Sequence, residues 1–332
     1  DLTDKKELPG ASLKVTDEDG NTVDEWVSKE EAHIIKGLIV GKKYKMTETK
    51  PADGYVTAES IEFTVENTKE VQKHQMLDDV TKVEISKKDI TDSSEVPGAK
   101  LIILDKDGKK VESWTSTDKP HMVEKLPVGE YTLREEQAPD GYLIAEDVKF
   151  TVKDTGKVQK IKMKDAHPYG KLVIKKTDST SKAALPGAEF ELREKESGKV
   201  VEKLVTDKTG TATSGKIPIA TYKNGKVEKT VEYILVETKA PNGYELSSKK
   251  EEIRFEYKDG KTKVIEIVKE IKNTKSPSGS TPTGNSPKTG DSTNIWLPIL
   301  LAVLSACGIG GVIWYKKKKG KRKTETGIGQ TQ

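Results

Sequence analysis

The sequence predicts an all-β chain: three tandem small antiparallel β-sandwiches, then a linker and one C-terminal transmembrane helix. Three observations predict it. Pro-Gly-Ala recurs at residues 9, 97 and 186, spacings of 88 and 89. A second signature recurs as TETKPADGY (47–55), REEQAPDGY (134–142) and VETKAPNGY (236–244). Short alternating runs such as KLIILDKD, GEYTLREE and DVKFTVKD are separated by Asp-Gly, Asn-Gly or Pro-Val-Gly turns, and no 3.6-residue periodicity is sustained before residue 295. Self-similarity at a fixed period is the mark of tandem repeats.

The elements follow in order. Residues 1–80, 81–167 and 168–274 form three copies of one domain. Trp26 matches Trp114 and His33 matches His121, whereas the third copy carries extra residues around Thr211–Thr230. Regular short strands with turn punctuation fit a sandwich of the prealbumin or immunoglobulin type. Residues 275–290 hold no apolar side chain that could enter a core, so they read as an extended Pro/Ser/Gly/Thr linker. Ile295–Tyr315 is a run of 21 residues without a charge, enough to cross a hydrocarbon layer of about 30 Å. Trp296, Trp314 and Tyr315 mark its interfaces. The basic tail, 316–332, is cytoplasmic by the positive-inside rule, which leaves the repeats outside.

Composition excludes several functions. Of 332 residues 34% are charged and only 5% aromatic, a lean core under a solvated surface. The net charge is +4, yet seven cations crowd residues 316–323, and removing them leaves −3. No basic face remains for nucleic acid. The single cysteine, Cys307, rules out a disulfide within the chain, so small extracellular domains need another staple. The chain opens on Asp1-Leu2-Thr3 without a basic start or an apolar h-region, which reads as a fragment with more protein upstream. His33, His74, His121 and His167 lack ligand spacing, so no metal is expected. Asp17-Glu18-Asp19-Gly20 reads as a hairpin turn rather than a calcium loop. No cofactor-binding motif is present.

Chemistry concentrates on core-facing positions. Alternate residues of a strand face the same way, so Tyr131, Leu133 and Glu135 share one face. Tyr44, Met46 and Glu48 repeat that face, as do Tyr233, Leu235 and Glu237. Charged residues are rarely buried without partners. In KVEISKKD the parity of Val83 and Ile85 extends to Lys87; in KLVIKKTD that of Leu172 and Ile174 extends to Lys176. Each lysine lies ten residues before the proline of Pro-Gly-Ala. Ile161, Met163 and Asp165 close the second copy, Ile271 and Asn273 the third, and Asp78 is the match in the first. Counted back ten from Pro9, the first copy's lysine falls before residue 1, so Glu48 and Asp78 have no Lys partner in the sequence.

This set of lysine, glutamate and Asp or Asn, with its E-x-x-x-P-x-G-Y element, resembles the collagen-adhesin B-type (SpaA-like) domains of Gram-positive surface proteins and pilins. The resemblance covers all three copies; Glu48 departs from it, because Pro51 comes one place early. It implies an intramolecular isopeptide bond in each complete copy: Lys87–Asp165 assisted by Glu135, and Lys176–Asn273 assisted by Glu237. The physics is consistent. Burial disfavours charge on amine and acid alike, a neutral amine is a nucleophile, and an acid kept neutral can polarise the acceptor carbonyl. A plain buried ion pair is the alternative.

Ser286-Pro287-Lys288-Thr289-Gly290 completes the picture. It resembles the Leu-Pro-x-Thr-Gly sorting signal of Gram-positive surface proteins, which precedes an apolar helix and a short basic tail; Ser286 stands where leucine is usual. The resemblance implies membrane insertion, then sortase cleavage after Thr289 and transfer to a peptidoglycan amine or a neighbouring pilin. The reading that follows is a wall-anchored, adhesin-like stalk displaying an N-terminal region. The alternatives are a pilus subunit polymerised through Thr289, and a module binding host matrix proteins through the Thr211–Thr230 insertion. None is an enzyme with an external substrate.

Overall fold

The computed structural model describes residues 1–3 and 5–277. The sorting motif at 286–290, the membrane span at 295–315, the basic tail and most of the linker lie outside the described residues. Among those described there is no helix, hence none long and apolar enough to cross a membrane.

The first copy holds β1 (Ser12–Thr16), β2 (Thr22–Val27), β3 (Lys43–Lys50) and β4 (Ile61–Thr64) in one antiparallel sheet, order β2-β1-β3-β4. The second copy builds β5 (Lys82–Asp89), β6 (Lys100–Asp105), β7 (Lys110–Thr115), β8 (His121–Glu124), β9 (Gly129–Gln137), β10 (Val148–Val152) and β11 (Val158–Asp165). Here two sheets face each other, β10-β9-β6-β7 and β11-β5-β8. The third copy repeats the plan with β12 (Tyr169–Asp178), β13 (Glu189–Glu194), β14 (Val200–Val205), β15 (Thr211–Thr213) and β16 (Ile217–Pro218). It continues with β17 (Ala220–Lys223), β18 (Lys226–Thr230), β19 (Glu232–Lys239), β20 (Glu251–Arg254) and β21 (Val264–Asn273). Its sheet β14-β13-β19-β20 packs over one centred on β12, which pairs with β15, β16 and β21.

One feature differs from the antiparallel sandwich read in the sequence. First and last strands of each complete copy run parallel: β5 with β11, and β12 with β21. A sandwich whose chain enters and leaves along neighbouring strands requires this, because the returning strand comes back from the opposite sheet. Sequence alternation reports which face is buried, not strand direction.

The inward faces form the cores. Val83, Ile85, Leu101, Ile103, Leu133 and Met163 interdigitate in the second copy; Leu172, Ile174, Phe190, Leu192, Leu235 and Phe255 do so in the third. In the first copy, 33–36 and 71–78 match β8 and β11 but carry no strand pairing, and β5 has no counterpart within residues 1–80. Ile34, Ile39 and Val71 are exposed there. The aligned Trp and His residues are ring stacks, Trp26 on His33 and Trp114 on His121, with centroids 4.3 and 4.4 Å apart.

Candidate functional site

Strand parity carries Lys87 inward at the end of β5, in line with Val83 and Ile85. Its register partner on β11 is Met163, so Asp165 lies two places further along the neighbouring strand, opposite Asp89. Across the sandwich β9 turns Tyr131, Leu133 and Glu135 to the same core. The three polar groups meet there, with Lys87 2% exposed, Glu135 4% and Asp165 0%. Lys87 Nζ contacts Asp165 Oδ1 and lies 3.0 Å from Glu135 Oε2. The second oxygen of Glu135 accepts no hydrogen bond, nor does Asp165 Oδ2. Oε2 of Glu135 also accepts the Ala145 N–H at 2.6 Å, which fixes the carboxyl.

The third copy reproduces this with an amide. Lys176 lies on β12 opposite Ile271, and Asn273 is two places on, opposite Asp178. Lys176 Nζ contacts Asn273 Oδ1 and is 3.0 Å from Glu237 Oε1. Asn273 Nδ2 donates to Glu237 at 3.0 and 3.1 Å, while Ser247 N–H holds Glu237 Oε2 at 2.9 Å. Phe190 lies under the amine, its centroid 5.7 Å from Nζ. In the first copy Glu48 and Asp78 come together as a buried carboxyl pair, with Ala58 N–H on Glu48 at 2.6 Å and Asp78 Oδ2 without a partner.

Electrostatics follow burial. Asp165 is pushed up to about 7, chiefly by desolvation; Lys87 opposes the shift and Glu135 adds to it. Taking a carboxylate out of water disfavours its charged form, so burial favours the protonated Asp165. Burial also pulls Lys176 below the usual lysine range, against the pull of Glu237. Glu48 rises to about 7, mainly through burial, and Asp78 rises for the same cause. In the third copy burial thus favours the neutral amine of Lys176 beside the uncharged amide of Asn273, the requirement for amide formation.

A second constellation repeats beside each site and was not read from the sequence. The tyrosine of each DGY or NGY turn donates to the aspartate eight residues before the Pro-Gly-Ala proline: Tyr55 to Asp1 at 2.7 Å, Tyr142 to Asp89 at 2.7 Å and Tyr244 to Asp178 at 2.9 Å. In the second and third copies that aspartate stands two places after the site lysine. The signal was present as two fixed spacings, but spacing alone does not say that two turns meet. Asp17 closes its hairpin by accepting the Asp19 and Asn21 N–H groups.

A family model described as SpaA, a prealbumin-like fold domain, matches residues 1–79, 81–167 and 170–271. Among solved structures, the Bacillus anthracis TIE protein is 29% identical with a TM-score of 0.51, over 82% of this chain and 49% of that one. The chain therefore spans about half the length of that TIE protein chain. BcpA, the major pilin subunit of Bacillus cereus, is 18% identical with a TM-score of 0.42, over 82% of this chain and 97% of its own. The major pilin SpaD of Corynebacterium diphtheriae is 15% identical with a TM-score of 0.27, over 59% and 98%. No curated protein matches the sequence.

Proposed function

The chain belongs to the family of SpaA prealbumin-like fold domains, and from that premise we propose that it is a load-bearing stalk of a Gram-positive surface protein. Its second and third copies are stapled by Lys87–Asp165 and Lys176–Asn273 isopeptide bonds. One observation carries this reading. Each buried lysine amine touches the side-chain oxygen of its acyl acceptor, with a buried glutamate within 3.0 Å of the same nitrogen.

The lone pair of Lys87 Nζ attacks Cγ of Asp165, and that of Lys176 attacks Cγ of Asn273. The C–N bond forms as the C–O bond of the acid or the C–N bond of the amide breaks. One water leaves the second copy and one ammonia the third. Glu135 and Glu237 carry the proton from the attacking amine to the leaving group. Contacts of Asn273 Nδ2 with Glu237 favour that shuttle over the simple carbonyl polarisation expected from the sequence. The fold replaces an external enzyme by proximity, and each copy reacts once.

The bridges join residues 78 and 97 positions apart, at the two ends of each copy. Because first and last strands are neighbours in one sheet, tension applied at the ends passes straight through the covalent bridge. The sorting motif Ser286–Gly290, read from the sequence, completes the load path: a sortase cleaves after Thr289 and joins it to a wall amine. Single-molecule pulling on the chain tests the function. The second and third copies are expected to resist extension at forces that unravel their Lys87→Met and Lys176→Met variants. Full-length extension of the unsubstituted second and third copies at those same forces would defeat the reading.

A further inference from the structure

The extra residues of the third copy form a hairpin, and the structure gives it a use. Asn224 and Gly225 take positive φ values of 53° and 69°, a tight turn that joins β17 to β18. The hairpin leans away from its own core onto the second copy. Tyr222 stacks on His167, centroids 3.5 Å apart and planes within 4°, and meets Tyr142 edge-on at 5.2 Å. Its hydroxyl donates to the Gly141 carbonyl at 2.8 Å. Val96, Ala138, Tyr142, Ile144 and Tyr222 make one small apolar cluster across the junction. Gly225 packs so closely on the Glu95 carbonyl that a Cβ would collide with it. A second loop reinforces the hairpin: Tyr257 donates to the Tyr142 carbonyl at 3.1 Å, and Ile144 N–H donates to Gly260 O at 2.7 Å.

The surface receiving the hairpin is tied to the candidate cross-link. Asp89 and His167 each stand two residues beyond Lys87 and Asp165. Asp89, fully buried, accepts Tyr142 at 2.7 Å and contacts His167 Nε2 at 2.8 Å. Burial alone would raise the Asp89 carboxyl, but hydrogen bonds from Thr91, Tyr142 and His167 outweigh it and hold the acid below its usual range. Tyr222 therefore rests on a platform fixed to both strand ends.

The first junction is built at the same place with smaller parts. There the turn tyrosine is Tyr55, and Lys125, from the loop leading into β9, donates to its hydroxyl at 2.6 Å. A Cβ on Gly54 would strike the Lys125 backbone. In both junctions the segment just before the central β9 or β19 strand caps the DGY turn of the preceding copy.

We infer that the β17–β18 hairpin is an interdomain clamp: its partner is the Tyr142 turn of the second copy, and it makes the second and third copies move as one body. The clamp does not depend on the isopeptide bonds having formed. It assigns the insertion an internal partner, where the sequence suggested an external ligand.

Hydrogen–deuterium exchange on the full chain tests it. Tyr222→Ala should speed exchange of the 140–145 segment roughly tenfold, while β9, β13 and β19 keep their protection. From the opposite side, His167→Ala should speed exchange of 220–224. Tyr222→Phe, which keeps the stack and loses one hydrogen bond, should fall between wild type and Tyr222→Ala. If 140–145 and 220–224 exchange at wild-type rates in both alanine variants, the clamp is wrong. The mass of each variant, read in the same experiment, reports the cross-links separately from the clamp.

Discussion

The first copy and the second share strand order and core pattern, yet one has a single sheet where the other has two. The difference is one strand. β5 pairs with both β8 and β11 and carries Lys87 to the core. No counterpart of β5 lies within residues 1–80; there segments 33–36 and 71–78 carry no strand pairing, and Glu48 and Asp78 share one buried site. The strand that completes the sandwich is the strand that delivers the nucleophile. On the proposed reading folding and cross-linking are one event, because the amine reaches its acceptor only when the second sheet has formed.

Lys87→Met breaks this comparison most sharply, since it leaves Glu135 and Asp165 as a carboxyl pair like the one in the first copy. Closing a loop of this length is worth roughly 4–5 kcal/mol by the disulfide rule. Calorimetry should show the second copy melting roughly 20 °C lower, with the third, which loses only the packing of its hairpin, shifting less.

A smaller effect separates the second and third copies. On the proposed reading Asp165 accepts the amine only as a neutral acid, and burial pushes it up to about 7. Both copies need a neutral amine, but only the second also needs a protonated acid, so bond formation in the second copy should fall several-fold relative to the third as refolding is moved from pH 6 to pH 8.5. Asn273 does not titrate, so the third copy should not slow. Timed mass spectrometry after refolding reads both.

The smallest effect belongs to the first copy. Glu48 titrates at about 7 when folded against an ordinary 4.5, so the folded form holds a proton that the unfolded chain has lost. Its contribution is complete below about 4.5 and disappears as pH rises through about 7. In residues 1–277 carrying Trp114→Phe, the urea midpoint read by Trp26 fluorescence should fall between pH 5 and pH 8. A rising midpoint would show that Glu48 is not the acid that matters.

Much of this was legible in the sequence because strand parity is a two-state code. Tyr131, Leu133 and Glu135 had to share a face, and the internal repeats singled out the same positions three times. The parallel pairing of β5 with β11 was not legible, since alternation carries no direction. Nor was the Tyr142–Asp89 bond, which joins two turns 53 residues apart. The insertion was visible as extra length, but its hairpin is held by His167 and Gly141 of another copy, and length says nothing about a docking surface.

Intact-mass measurement of residues 81–274 separates covalent bridges from buried ion pairs. The expected mass is short by one water plus one ammonia; Glu135→Ala restores the water and Glu237→Ala the ammonia. The full theoretical mass in the unsubstituted protein would contradict it, leaving Lys87 and Lys176 as buried ion-pair residues and nothing more.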